Sequence, residues 1–326
     1  MEDIIKLLSQ TINVTPNYKP DLCLAVKQSR TACSACSEVC PHEAITLTSQ
    51  VEIDEVDCTG CGLCVRSCPS YALETNETLK SVTHLRCSQV DGEAAQIHCF
   101  GRLGATDLLK LSDDSSHLHL GRSNCSECPI GSDAVIGAVE DEISVAKKLA
   151  NVCGQEITIE FCSVESMPQD VDDSNLSRRD LFRQSIKGLQ QATAIALSPL
   201  DPGDETNGLP NELRQRYFVL DNANLAPTTQ VPWVLPRISD GCIMCPVCTQ
   251  VCPTNAFHRT FNPKPDEGAV LELDPGSCMG CDACVQACPI NVITLDDKVT
   301  WGELSNKTIE AFHKPPDPDT ADTIPR

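Results

Sequence analysis

Apolar and polar positions alternate in short bursts along most of this chain, and turn residues separate the bursts. Cys40-Pro-His-Glu-Ala-Ile-Thr-Leu and Cys68-Pro-Ser-Tyr-Ala-Leu-Glu-Thr each pass from Cys-Pro into a period-two segment, the pattern of a half-buried strand. Val51-Glu-Ile-Asp reads the same way, and Ile4–Leu8 fits a short amphipathic helix. From residue 82 the character changes. Strand-like Val82–Cys87, Ala95–Cys99, His117–Leu120 and Ile157–Cys162 alternate with helical segments at Gly101–Leu111 and Asp133–Asn151. The longer segment sets Val135, Ile136, Val139, Ile143, Ala146 and Leu149 at helical spacing, with Gly154 as a stop signal just beyond. Strands alternating with helices predict a small α/β layer with a parallel sheet. Residues 166–232, rich in Asp, Ser, Asn and Pro, read as a linker carrying one helix, N-capped by Ser177 with Asp180 three residues on. Residues 233–300 return to the pattern of the first 80, with Phe261–Gly268 as a surface loop. The proline- and aspartate-rich end predicts a disordered tail over 301–326. The expected fold class is α+β, with small modules at 1–80 and 233–300 flanking an α/β domain at 82–165.

Cysteine spacing then changes the picture. Cys58, Cys61, Cys64 and Cys68 stand as C-x2-C-x2-C-x3-C followed by Pro69, the run that binds iron–sulfur cubanes. It recurs at Cys242, Cys245, Cys248, Cys252, Pro253 and at Cys278, Cys281, Cys284, Cys288, Pro289. An incomplete copy, Cys33, Cys36, Cys40, Pro41, lies upstream. Gly60 and Gly62 suit a loop wrapped closely around such a centre, where positive φ is often needed. In the α/β domain, Cys87, Cys99, Cys125 and Cys128 all fall just after strand ends, where open α/β sheets place their sites. A cluster, a structural zinc or unligated thiols would each fit these four. Cys153 and Cys162 read as packing residues.

Composition excludes several alternatives. Aromatics are only 4% of 326 residues, which suits small modules in which a metal centre replaces part of the core. The formal charge of −21 argues against nucleic acid and suits docking on a basic protein patch, or simply a solvated surface. No stretch approaches the ~18 apolar residues that direct membrane insertion needs. The N-terminal apolar run is too short for a signal peptide. Thiolate ligands need a reducing compartment, so a cytoplasmic location is expected. There is no dinucleotide fingerprint, P-loop or nucleophile elbow. The seven histidines do not cluster with carboxylates at metal-ligand spacing and read as surface or strand-face residues.

The paired runs of residues 1–80 closely resemble the two-cluster bacterial ferredoxins. That resemblance implies two [4Fe–4S] clusters per module, each run lending its last cysteine to the other cluster. Cys58, Cys61, Cys64 and Cys40 would hold one cluster, and Cys33, Cys36 and Cys68 three corners of the other. Where the family has its remaining cysteine, this chain has Arg30. Cys23 is the nearest spare thiol and the favoured fourth ligand. The alternatives are a three-cysteine [3Fe–4S] site, or Cys23 as an ordinary small buried apolar residue. By the same swap Cys242, Cys245, Cys248 and Cys288 would hold a third cluster, and Cys278, Cys281, Cys284 and Cys252 a fourth.

Two weaker resemblances bear on function. His98-Cys-Phe-Gly-Arg-Leu and the later Cys125-x2-Cys128 loosely resemble the iron–sulfur delta subunits of methanogen-type hydrogenases. Ser177-Arg178-Arg179 resembles a twin-arginine signal at an unsuitable internal position. The cytoplasmic ferredoxin-type accessory proteins of periplasmic nitrate reductase also carry Ser-Arg-Arg ahead of cluster runs, and the C-terminal half is similar to them. The chain is therefore expected to carry electrons as subunit or shuttle of a larger oxidoreductase. The alternatives are a maturation factor for a molybdenum oxidoreductase, or a redox enzyme working at the middle cysteines. The expected partner is a redox protein, with a molybdenum oxidoreductase as the candidate.

Overall fold

The computed structural model describes residues 14–27, 33–75, 77, 80–92, 94–112, 116–163, 209–261 and 268–316. The helix expected at Ile4–Leu8, position Arg30, the Ser177 segment and residues 317–326 lie outside these residues.

The first four strands among the described residues are short: β1 (Asn17–Tyr18), β2 (Ile45–Leu47), β3 (Val51–Ile53) and β4 (Leu73–Glu74). They form two antiparallel ribbons, β1 with β4 and β2 with β3. Two-stranded ribbons this short are not stable alone. They are held from within by Ile45, Val51, Leu63, Val65, Ala72 and Leu73, all buried. Single helical turns at Ala35–Glu38 and Leu63–Arg66 complete the unit.

The next four strands are β5 (His84–Cys87), β6 (Ala95–Ile97), β7 (His117–Arg122) and β8 (Thr158–Ser163). They make one sheet in the order β6-β5-β7-β8, parallel throughout, as the strand–helix alternation predicts. Leu85, Ile97, Leu118, Leu120 and Ile159 are buried in it. Helices Ala105–Ser112 and Ala134–Val152 accompany the sheet. The longer one buries Val135, Val139, Ile143, Ala146 and Leu149, the stripe that helical spacing predicts, while Ile136 is only half-buried. Gly154, at φ +74°, takes the left-handed position just past the end.

The linker reading of 166–232 fails where the structure describes that stretch. Helix Asn211–Asp221 buries Leu213, Arg216 and Leu220 against the rest of the molecule. Leu213 and Leu220, two turns apart, supply this narrow apolar stripe, which average composition conceals.

The last unit begins with β9 (Leu235–Ile238), followed by β10 (Phe257–Phe261), β11 (Ala269–Leu273), β12 (Ile293–Asp296) and β13 (Ile309–Lys314). β9 pairs antiparallel with β12. The other three form an antiparallel sheet in the order β10-β11-β13. Its helices are Val247–Val251 and Ala283–Ala287. The tail expected to be disordered from 301 is folded through residue 316. A turn of helix at Trp301–Leu304 is N-capped by the Thr300 side chain, and β13 covers the edge of β11. β11 buries Ala269, Leu271 and Leu273, so an uncovered edge would leave an apolar strand with unpaired backbone. Within the described residues, proline-rich sequence begins only at Pro315.

Among the described residues no helix is long and apolar enough to cross a membrane.

Candidate metal centres

Each complete cysteine run folds into a loop that climbs into a helical turn, and Cys64, Cys248 and Cys284 are the residues that ride on the turns. The loops need left-handed backbone ahead of the turn. Gly60, Gly62 and Gly280 have φ of +72°, +84° and +68°. The corresponding Met244 and Asp282 take φ of +55° and +65° and carry the strain of a side chain there.

In the first unit the thiols gather in two sets. Cys40, Cys58, Cys61 and Cys64 ring a pocket of about 330 Å3. Cys23, Cys33, Cys36 and Cys68 ring another of about 320 Å3. Cys23 reaches its pocket because the turn Pro20–Leu22 ends on it and leaves it buried. Burial, reinforced by the neighbouring thiols, pushes Cys36 up to about 11 and Cys64 higher still. Cys36 is itself among the thiols that raise Cys64, so the two pockets are close neighbours.

The C-terminal unit repeats one half of this crossing, with Cys252 beside the set Cys278, Cys281 and Cys284. Burial pushes Cys278 up to about 12 and Cys281 up to about 11, and Cys252 adds to both, which places it with that set. Cys284 is raised first by burial, then by Cys278, Cys281, Cys252 and Cys248 in turn. Cys248 rises to about 11, first through burial and then through Cys245 and Cys242. Cys288 is buried at the end of helix Ala283–Ala287.

The α/β domain brings Cys87, Cys99, Cys125 and Cys128 around a third pocket, of about 350 Å3. Burial pushes Cys99 up to about 12, with Cys61 of the first unit contributing beside Cys128 and Cys87. Cys153 lies apart, its Sγ 3.9 Å from the Val219 carbonyl, and Cys162 stands in β8.

Four thiols line each of the three pockets. Among the described residues no three His, Cys, Asp or Glu side chains converge as a single-ion chelate. A lone zinc would need its sulfurs at ~2.3 Å from one centre. A multi-iron core fits better, and binding it would release the protons that burial holds on Cys36, Cys64, Cys99 and Cys278. Backbone N–H groups already aim at the sulfurs, from Ala72 to Cys68 at 3.2 Å and from Ala256 to Cys252 at 3.3 Å. Such bonds favour the charged sulfur and tune cluster potentials.

Several positioning residues had no signal in the sequence. His98 Nε2 lies 2.7 Å from the Thr59 carbonyl and His42 Nε2 lies 3.0 Å from that of Ile130. Those two histidines are struts between the first unit and the α/β domain, not surface residues. His84 and His119 do lie on strand faces, stacked at 5.0 Å. Buried Arg102 donates to the Val14 carbonyl at 2.8 Å and the Gly60 carbonyl at 3.2 Å, and pairs with Glu77.

A buried charge network joins the units. Arg216 pairs with Glu212 at 2.8 Å and with Glu142 at 3.1 Å, and Arg66 reaches Glu142 at 3.4 Å. Burial alone would raise the Glu212 carboxyl, but Arg216 beside it and the Thr106 hydrogen bond hold it below the usual range. Next to this network, Arg66, Cys68 and Tyr71 face Trp233, Met279 and Gly280 across a cleft of about 780 Å3. Trp233 Nε1 donates to the Cys278 carbonyl at 3.1 Å.

Residues 29–72 and 240–295 match the family model described as 4Fe-4S dicluster domain. No curated protein and no solved structure matches the chain. The two matched stretches are those that hold the complete and incomplete cysteine runs. They support an iron–sulfur protein of the ferredoxin type with multiple [4Fe–4S] clusters, and the parallel sheet at 84–163 is a further part of the fold outside them.

Proposed function

We propose that this chain carries electrons for a larger oxidoreductase, as its subunit or as a shuttle. Four [4Fe–4S] clusters would be held by the two dicluster stretches. Cys40, Cys58, Cys61 and Cys64 take one and Cys23, Cys33, Cys36 and Cys68 a second. Cys242, Cys245, Cys248 and Cys288 take a third and Cys252, Cys278, Cys281 and Cys284 the fourth. The observation that carries the reading is the pair of neighbouring four-thiol pockets in the first unit.

A cubane with four cysteine ligands has no open coordination site, so it exchanges one electron and binds no substrate. The chain supplies the rest. Its cysteines hold the core, N–H donors such as Ala72 and Ala256 stabilise charge on sulfur, and buried Leu63, Val65 and Leu73 keep water away. The charge of −21 suits a basic docking patch on a redox partner.

Anaerobic purification with iron and sulfide analysis tests the cluster content, and affinity capture tests the role. About four irons per pocket, together with a stoichiometric oxidoreductase complex, support the electron carrier. A transient complex with an immature molybdenum oxidoreductase would favour the maturation reading that Ser177-Arg178-Arg179 suggests. A chain purified without iron refutes both.

A further inference from the structure

The pocket in the α/β domain lies outside both matched stretches. We infer that Cys87, Cys99, Cys125 and Cys128 bind a further iron–sulfur cluster, of the [4Fe–4S] class, and that it forms the outer end of an electron path into the first dicluster unit. The path rests on the electron-carrier reading above, while the cluster itself does not.

Topology brings the four thiols together. β5 ends on Cys87, β6 is followed within two residues by Cys99, and β7 runs into the loop bearing Cys125 and Cys128. Because all three strands are parallel, their C-terminal ends share one edge of the sheet. Like the two pockets of the first unit, this one is lined by four thiols that do not converge as a single-ion chelate. A site built for one zinc ion would instead draw its sulfurs in to a point. The Ile130 N–H lies 3.4 Å from Cys128 Sγ, the same kind of bond that Ala72 gives Cys68 and Ala256 gives Cys252.

The site also presses on its neighbour. A Cβ added at Gly101 would lie 2.4 Å from the Cys61 carbonyl oxygen, and one at Gly131 would lie 3.5 Å from Cys61 Cβ. The Thr59 hydroxyl donates to the Ile130 carbonyl at 2.6 Å. The loops bearing the two thiol sets are therefore in direct backbone contact, with no layer of side chains between them. On the other side, Asn124, Ser126, Glu127 and Pro129 are exposed, while Cys87 and Cys99 are buried. The cluster would thus meet solvent at the 124–129 loop and the first unit at Cys61. Exchange there is one electron with a docked protein redox centre, and no bond or proton changes hands.

The test uses the full chain, purified without oxygen, with iron, sulfide and zinc measured in the wild type and in C125S/C128S. The wild type should hold about 20 irons, four for each of five cubanes. The variant should lose about four irons and four sulfides, and the spectrum of its remaining reduced clusters should lose the line broadening caused by a paramagnetic neighbour. Unchanged iron in the variant would overturn the inference, as would one zinc per chain that the variant lacks. If the variant does not fold, the wild type still decides. About 16 irons, with Cys125 and Cys128 open to alkylation, rejects this cluster and leaves the electron-carrier reading intact. Negligible iron removes that reading as well.

Discussion

Gly62 stands where one added methyl group has a cost that can be worked out. Its φ is +84°, and a Cβ there would lie 2.4 Å from the Gly101 carbonyl oxygen and 2.6 Å from the Arg102 nitrogen. Both are backbone atoms, so no side chain can swing away. Left-handed backbone costs an L-residue about 1–2 kcal/mol. Forcing packed backbone apart adds about 1–3 kcal/mol. Gly62→Ala should therefore cost about 2–5 kcal/mol. Gly241→Ala is the control, since its φ is +95° but its nearest neighbour, the end of Val292, is 4.0 Å away. It should cost the backbone component alone. Gly137→Ala, inside helix Ala134–Val152 with nothing within 4 Å, should stabilise by about 0.5–1 kcal/mol. The assay is chemical unfolding of the three anaerobic holoproteins, followed by circular dichroism and by cluster bleaching. A gap of about 2 kcal/mol between Gly62→Ala and Gly241→Ala is some thirtyfold in an equilibrium constant. If the two variants unfold together, the close seating of the first unit on the α/β domain is wrong.

Cys23→Ser should lower the iron content by about one to four atoms, leaving a three-iron centre or none in the pocket it shares with Cys33, Cys36 and Cys68. Unaltered iron and an unaltered spectrum would make Cys23 a packing residue. Glu212→Gln should destabilise by about 3 kcal/mol, because it removes one partner from a buried network. Glu212 is held below its ordinary value, so its contribution is full above about pH 4.3, the unfolded value, and fades as pH falls through the lower folded one. The wild type should lose this stability on acidification and the variant should show a flatter profile, read as unfolding midpoint against pH. Association with a basic redox partner should slow as salt shortens the screening length from about 10 Å at 0.1 M to about 3 Å at 1 M. A salt-independent association rate would leave the −21 charge to solubility.

Much of the molecule is legible in its sequence because metal sites and parallel strands leave strong local marks. A thiol run must keep its spacing to wrap a core, and the gap at Arg30 made a spare cysteine worth seeking. Cys23 duly stands in that pocket. The edge gathering Cys87, Cys99, Cys125 and Cys128 follows from strand order and parallel direction. Helix Asn211–Asp221 was concealed because a helix holding its place through Leu213, Leu220 and a charge network looks polar overall. Strand β13 was concealed by the prolines that follow it, although Ile309 and Phe312 pack partly buried on the core. His42 and His98 gave no sign of their role, since a strut to a distant carbonyl depends on tertiary placement alone.

Helix Asn211–Asp221 has a consequence beyond stability. Glu74 accepts from the Asn211 N–H, Thr106 and Glu142 bind Glu212 and Arg216, and Tyr217 packs its ring on Trp233 and Trp301. One rod of three turns thus touches every folded part. Tunnelling falls exponentially with the gap an electron must cross, so small changes in separation count for more than large changes in driving force. On the electron-carrier reading proposed above, a brace of charges and rings would set that gap mechanically and remove the wait for two tethered bodies to drift together. The helix would therefore act as a spacer gauge, fixing how fast charge can pass from the Cys68 side of the cleft to the Met279 side.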